Sequence, residues 1–164
     1  MSNRSGQPTK LLRIVSGGQT GVDRAALEAA CALSFPHGGW CPRGRLAEDG
    51  PIPERFQLSE TESPLYHIRT ERNVADSDGT LILHRGKLKG GTLLTRRLAK
   101  AHGRPLLLVD LDIESTPDRA AGWIHDHHIL VLNVAGPRES TNPGIQAAAL
   151  AWMLGLLAAL SQHS

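Results

Sequence analysis

Three short stretches of this sequence carry residues whose types and spacing suit the grip of an oxyanion. The first is Ser16-Gly17-Gly18-Gln19-Thr20-Gly21-Val22-Asp23-Arg24. Glycines let backbone N–H groups come close to an anion, and the start of a helix adds partial positive charge. Gln19 and Thr20 add donors, Arg24 has the reach for a phosphate, and Asp23 can accept from a hydroxyl. The stretch has neither the Lys-Ser/Thr end of a Walker A loop nor the Gly-x-Gly-x-x-Gly spacing. The plain alternative is a tight turn in which Thr20 or Asp23 caps the following helix.

The second stretch runs from Arg85 through Gly90-Gly91-Thr92, and Thr92 reads as a helix N-cap. Between His84 and Arg104 stand Arg85, Lys87, Lys89, Arg96, Arg97, Lys100 and Arg104, with no acidic residue. A basic loop at a helix start attracts phosphate. A solvated basic surface explains Arg96, Arg97 and Lys100 equally well, but not the paired glycines, so Gly90, Gly91 and Thr92 are assigned a ligand role. The third stretch is Gly136-Pro137-Arg138-Glu139-Ser140-Thr141-Asn142-Pro143-Gly144. Asn142 and Pro143 read as cap and first position of a helix. Gly136, Arg138, Glu139 and Ser140 lie just upstream. Arg138 can fork onto a phosphate, and Glu139 can bind a ribose hydroxyl or act as an acid or base. A weak surface ion pair is the alternative.

Other candidates carry less. Glu48 and Asp49, near Arg43 and Arg45, either complete a polar pocket or decorate a charged loop. Asp78 precedes a strand and reads as a turn residue at the end away from any site. His125, Asp126, His127 and His128 suggest metal at first sight, but only 125 and 128 share a helix face, so a solvated helix end is expected and no metal site is assigned. No Gly-x-Ser-x-Gly elbow is present. Catalytic carboxylates, if the chain has any, come from Glu139, Glu48 and Asp23.

The elements that must hold these stretches follow from the apolar pattern. Strands are expected at residues 11–15, 80–83, 105–109 and 129–134, with a short one at 39–41. Helices are expected at 22–33, 69–77, 92–102, 117–127 and 143–160, and an irregular surface excursion at 42–64. The clear strands are continuous apolar runs, as in parallel strands covered on both faces. Strands spaced by helices make βαβ units, so the expected fold is a Rossmann-like, open, mostly parallel α/β sheet with helices on both faces. In such sheets ligands bind at the carboxyl ends of the strands, where all three stretches fall.

Composition narrows the classes. The chain has 164 residues, enough for one domain, read as 11–164 behind a disordered polar lead-in at 1–10. Eighteen Lys and Arg against 16 Asp and Glu leave a net charge of +2, which argues against a nucleic-acid-coating protein. Cys31 and Cys41 form no zinc or disulfide framework and read as free thiols of a reducing, cytoplasmic compartment. The N-terminus has no apolar core for a signal peptide. Residues 145–160 are almost wholly apolar but shorter than the roughly 20 residues of a bilayer span. With no polar face, that helix is expected to pack on the sheet and against a second copy of the chain.

Several segments together resemble one family. They are Ser16–Leu27 (SGGQTGVDRAAL), Gly39–Arg45 (GWCPRGR), Ala47–Gly50 (AEDG), Arg69-Thr70 with Asn73-Val74, Ser77–Thr80 (SDGT) and Asn133–Ser140 (NVAGPRES). In this order they resemble the "putative molybdenum carrier" family, also described as circularly permuted YpsA-like within the SLOG superfamily, over residues 11–160. The resemblance implies a Rossmann-like sheet with a ligand cleft at the strand ends. It also implies kinship with phosphoribohydrolases that cleave nucleoside monophosphates, with carriers of molybdenum cofactor, and with sensors of nucleotide-derived signals. The phosphoribohydrolase motif Gly-Gly-x-Gly-Thr-x-x-Glu is matched only in part by Gly90-Gly91-Thr92-Leu93-Leu94-Thr95, which lacks one glycine and has Thr95 at the glutamate position.

The leading expectation is a carrier or sensor that binds a phosphorylated nucleotide-like ligand or molybdenum cofactor, with bare molybdate as a smaller alternative. The rival is a hydrolase of nucleotide N-glycosidic or phosphate bonds. An assembly module with a vestigial cleft is the third reading.

Overall fold

A computed structural model describes residues 10–161. The expected lead-in at 1–10 falls, but for Lys10, outside the described residues. The described chain holds nine strands and five helices, with five short strands following one another between the first two helices and strict alternation from there on. The central sheet holds β1 (Arg13–Val15), β2 (His37–Gly38), β7 (Gly79–His84), β8 (Leu106–Asp110) and β9 (Val131–Ala135), in the order β2-β1-β9-β7-β8. Every neighbouring pair is parallel. Val15 and Thr80 both lie level with Asn133, and Ile82 with Ala135, so β1 ends two residues short of the end of β9 and β7 two residues beyond it.

The helices are α1 (Val22–Ala32), α2 (Tyr66–Ala75), α3 (Gly90–Ala101), α4 (Asp118–Asp126) and α5 (Ile145–Ser161). Ile14, Leu81, Leu83, Leu132 and Val134 point to one face of the sheet. There they pack against Ala25 and Ala29 of α1, Ile124 of α4, and Trp152, Met153 and Leu156 of α5. Alternation along the strands then sends Thr80, Ile82 and Asn133 to the opposite face. That face is covered by α2 and α3, which pack on each other. The chain leaves β1 toward one edge, through α1 to β2. It leaves β7 toward the other, through α3 to β8. The crevice opened by that divergence lies at the carboxyl ends of β1, β9 and β7.

Several boundaries differ from the sequence reading. The strand beside β1 is His37–Gly38 rather than 39–41, and Trp40–Cys41 (β3) pairs outside the main sheet with Ser59–Glu60 (β6). The 42–64 segment is no irregular excursion. It carries β6 and a hairpin of β4 (Leu46–Ala47) and β5 (Gly50–Pro51), and with β3 before it packs over a second core of Leu27, Cys41, Ile52 and Phe56. Four apolar side chains spread over 30 residues show no periodicity, so the sequence concealed this cluster. Thr92 is not an N-cap: α3 begins at Gly90 behind Lys89, and Thr92 N–H donates to the Lys89 carbonyl at 3.1 Å. Neither Thr20 nor Asp23 caps α1, which starts after Gly21 with no side-chain cap. Asn142 and Pro143 do not open α5, because Gly144 stands between in a left-handed conformation at φ 89°. Asp78 does sit at the amino end of the sheet, where its Oδ2 accepts from Leu130 N and Val131 N at 3.0 and 2.8 Å.

Among the described residues, no helix is long and apolar enough to cross a membrane. Both cysteines are free, Cys41 buried and Cys31 partly so.

Candidate functional site

A cleft of about 680 Å³ opens across the strand ends, between the sheet, α2 and α3. The loops after β1, β7 and β9 all contribute to it. Gly17, Gln19 and Asp23 come from the first, Arg85 to Thr92 from the second (all but Leu88), and Gly136 and Arg138 from the third. The volume suits a nucleotide-sized molecule.

The three loops do different work. The first is not an open nest of amides, as the glycine spacing had suggested. Gly18 N–H donates to Ser16 Oγ at 3.3 Å, Thr20 N–H to Gln19 Oε1 at 3.0 Å, and Gly21 N–H to Gln146 Oε1 of α5 at 2.8 Å. A Cβ on Gly21 would lie 2.1 Å from the Pro137 carbonyl oxygen, at a φ of +83°. Glycine there is what lets the first and third loops touch. Arg24 is also committed inward. Its Nε donates to the Gly18 carbonyl at 3.1 Å, and its two terminal nitrogens fork onto Asp49 at 2.9 and 3.1 Å. A bidentate pair of this kind, with Arg24 buried and Asp49 half-exposed, fixes a loop rather than a ligand.

The third loop is tied down in the same manner. Glu48, on the β4–β5 hairpin, accepts from Thr20 Oγ1, from Ser140 Oγ, and from Ser140 N at 3.1 Å. Its carboxylate also lies 3.7 Å from Arg138 Nη1. Partial burial pushes Glu48 up, but the hydrogen bonds from Ser140 and Thr20 and the charge of Arg138 outweigh it, leaving Glu48 below its ordinary value. Glu139 is turned away from the cleft. It accepts from Gly144 N, and from Gln146 N at 3.1 Å, and so caps α5. Thr20, Glu48, Glu139 and Ser140 therefore form a latch behind the cleft, with Gly18, Gly21 and Arg24 beside it, and none of them lines it.

The second loop is the open one. The N–H groups of Gly90 and Gly91 have no acceptor among the described residues, as first-turn helix amides do not. A Cβ on either glycine would meet nothing within 4 Å. Lys87 and Lys89 line the same mouth, while Arg85 is paired with Asp112 at 3.2 Å. Thr95 lines the cleft from the next turn of α3, and its Oγ1 donates to the Gly91 carbonyl at 2.9 Å.

On the α2 side stands Arg69, which sequence reasoning left out of the site. Its side chain is buried, and Nη1 donates to the Gly17 carbonyl at 2.7 Å. A Cβ on Gly17 would fall 2.3 Å from that same nitrogen, so glycine is required for the arginine to enter. Arg69 Nη1 also lies 4.0 Å from Asp23 Oδ2. Both Arg69 and Arg138 sit over the Tyr66 ring, at 5.3 and 5.5 Å from its centroid. Attraction of a cation to a ring face holds Arg138 toward the cleft. Asn133 closes the floor, with Nδ2 donating to Thr80 Oγ1 at 3.3 Å. Only the run Arg69–Val74, with its buried Arg69 and Asn73 on one helix face, offered a signal for this wall.

Among the described residues Asp23 is the one acidic side chain that lines the cleft, against Arg69, Arg85, Lys87, Lys89 and Arg138. Burial pushes its carboxyl up to about 6. Arg69, the Gln19 N–H, Arg24 and Arg138 pull the other way and only partly offset it. Among the described residues, no group of three or more His, Cys, Asp or Glu is arranged to hold a metal ion. His127 Nδ1 lies 3.0 Å from the Trp123 carbonyl at the end of α4.

A parallel sheet with a polar, cation-rich cleft over its strand ends, at the point where the chain diverges to both edges, defines a Rossmann-like small-ligand-binding domain. The chain belongs to the circularly permutated YpsA SLOG family, whose model matches residues 14–157. It is similar to a crystal structure described as a putative molybdenum carrier protein from Syntrophus aciditrophicus SB. The two share 47% identity, with a TM-score of 0.88, over 92% of this chain and 98% of that one. No curated protein matches it.

Proposed function

We propose that this chain binds a small phosphorylated, nucleotide-like ligand in the cleft, as a carrier or sensor, with the phosphate at the start of α3. The observation that carries the reading is the mouth of the cleft. Two unpartnered helix-start amides at Gly90 and Gly91 stand beside Lys87 and Lys89, and Arg138 lines the same cleft. Helix dipole, free donors and basic side chains act there in the same sense. The wall of Gly17, Arg69 and Gly136 and the latch behind it supply a rigid frame.

The relative's name, molybdenum carrier, adds molybdenum cofactor and molybdate to the ligands worth testing. The cofactor, a pterin carrying a phosphate, matches a cleft of this size with its anion grip at one end. Lys87, Lys89, Gly90, Gly91 and Arg138 would hold its phosphate. Bare molybdate would engage that end alone. The decisive experiment is titration calorimetry of the purified chain with nucleoside monophosphates, molybdate and sulfate. Saturable binding that is weakened by Arg138→Ala supports the reading. No heat and no rise in melting temperature with any anion refutes it.

Hydrolysis of a nucleotide bond is the second reading, and one observation favours it: a buried carboxyl near pH 6 faces the cleft at Asp23. A group poised near neutrality can serve as acid or base. With Glu48 and Glu139 held in the latch and the cap, Asp23 is the carboxyl left for such work. Release of free base from a nucleoside monophosphate, lost in Asp23→Asn, would establish turnover. The free thiols of Cys31 and Cys41 fit a reducing compartment such as the cytoplasm. A self-association surface is placed on α5, where Ala147, Ala151, Gly155 and Ala158 are exposed along one side. Light scattering of the purified chain tests it.

A further inference from the structure

The deep end of the cleft differs in chemistry from its mouth. Gln19 lines it and is 5% exposed. Its Oε1 accepts two backbone amides, Thr20 N at 3.0 Å and Glu48 N at 2.8 Å, which fixes the amide plane. Its Nε2 is buried and finds no acceptor among the described residues. An orphaned buried donor is costly, so a native fold that keeps one points to a missing partner. Asp23 lies four residues on in the same loop and helix, and its carboxyl is an acceptor. The charged groups around it are Arg69 from α2, Arg24 from its own helix and Arg138 from the loop after β9; the sheet beneath contributes only the neutral Asn133.

We infer that Gln19 and Asp23 form a recognition subsite for a neutral head group that accepts a hydrogen bond from Gln19 Nε2 and donates one to the Asp23 carboxylate. The inference rests on the cleft being the ligand site proposed above and sets the ligand's direction in it. The anionic end lies at the start of α3, and the uncharged hydrogen-bonding end lies under Arg69. A second anionic group is disfavoured at Asp23. Two kinds of head group share the required chemistry: the lactam edge of a purine or pterin ring, with adjacent C=O and N–H, and the hydroxyls of a sugar.

The test is calorimetry with guanosine monophosphate, adenosine monophosphate, ribose 5-phosphate and inorganic phosphate on the wild type, Asp23→Asn and Gln19→Glu. Both substitutions keep the side-chain shape, and circular dichroism checks the fold. Asp23→Asn removes a negative charge, so phosphate itself should bind more tightly. The preference for the nucleotide over phosphate should nevertheless fall at least tenfold in each variant. In the wild type, that preference should also fall about tenfold between pH 7.5 and pH 5, because the carboxylate that accepts the bond is lost. Taking the ratio to phosphate cancels most of the ligand's own phosphate titration. Loss of preference seen with ribose 5-phosphate assigns the hydroxyls. Loss seen with guanosine but not adenosine monophosphate assigns the lactam. If all four probes bind and the ratios move less than twofold, the subsite is refuted and the cleft reading stands. If none binds, the cleft reading itself fails.

Discussion

Replacing Glu48 with alanine removes the one carboxylate that ties the loop after β1 to the loop after β9. Three donors lose their acceptor: Thr20 Oγ1, Ser140 N and Ser140 Oγ. Hydrogen bonds to a charged group contribute about 1.5–3 kcal/mol each when buried. Here the Glu48 side chain is 20% exposed, and both hydroxyls can turn to water, so the three together are worth far less than their sum. A net loss of about 2–3 kcal/mol is expected. For a domain of this size that lowers Tm by about 4–12 °C. The pH dependence gives a second reading. Glu48 sits below its ordinary value of 4.5, so its contribution is complete above that pH and fades as the pH falls through the folded value. The gap between wild type and Glu48→Ala, measured by urea unfolding, should therefore close in acid. A loss below 0.5 kcal/mol at pH 7.5 (about the size of an exposed pair), or a gap that does not narrow in acid, would show that the latch is decorative. The hairpin would then carry no part of the site.

Three further outcomes follow from the same geometry. Arg138→Ala should weaken binding of a phosphate-bearing ligand by about 1–2 kcal/mol, less than a fully buried charge contact because the side chain is 36% exposed; calorimetry reads it directly. Arg69→Met leaves the Gly17 carbonyl without its cation and the Asp23 carboxyl with only the weaker pull of Arg24 and Arg138, so about 3 kcal/mol of stability should be lost in thermal or urea melts, and the Asp23 carboxyl, followed by NMR, should titrate still higher. Asp23→Asn should have the opposite effect on stability. A carboxyl raised from 3.8 to about 6 is favourable to folding below pH 3.8 and costs up to about 3 kcal/mol above pH 6. The variant should thus be more stable than wild type by about 1–3 kcal/mol at pH 7.5, with the advantage vanishing near pH 3.5.

The strands and helices of the central sheet were legible because each has its own period. Leu81-Ile82-Leu83 is a buried parallel strand read directly, and the helix after it was expected from Thr92 although it begins at Gly90. What the pattern concealed were contacts made across long separations. Arg69 reaches Gly17 over 52 residues, and Thr20 reaches Glu48 over 28. Neither partner looks unusual alone. The same applies to Glu139. Its place beside Arg138 suggested a cleft residue, yet its carboxylate meets the amides of Gly144 and Gln146, because Gly144 turns the chain back on it. The first glycine-rich loop was misread for a related reason. Ser16, Gln19 and Gln146 supply internal acceptors for its amides, and acceptors are invisible to a glycine count.

That correction changes how the cleft must work. The amides of Gly18, Thr20 and Gly21 are spent inside the fold and not on a ligand, so that part of the first loop acts through side chains held in fixed positions. Rigid walls lose little entropy on binding. The amides of Gly90 and Gly91, by contrast, stand open at the start of α3. Binding energy is thus divided between an electrostatic grip at one end and fixed polar groups at the other. The division has a cost that appears in the stability of the free chain, through a carboxyl buried near arginines that only partly compensate it and an amide donor with no acceptor. Both belong to the same loop and face the same space. Substitutions that relieve either one should stabilise the empty protein while weakening its discrimination among ligands. A variant that gained both stability and selectivity would break that link.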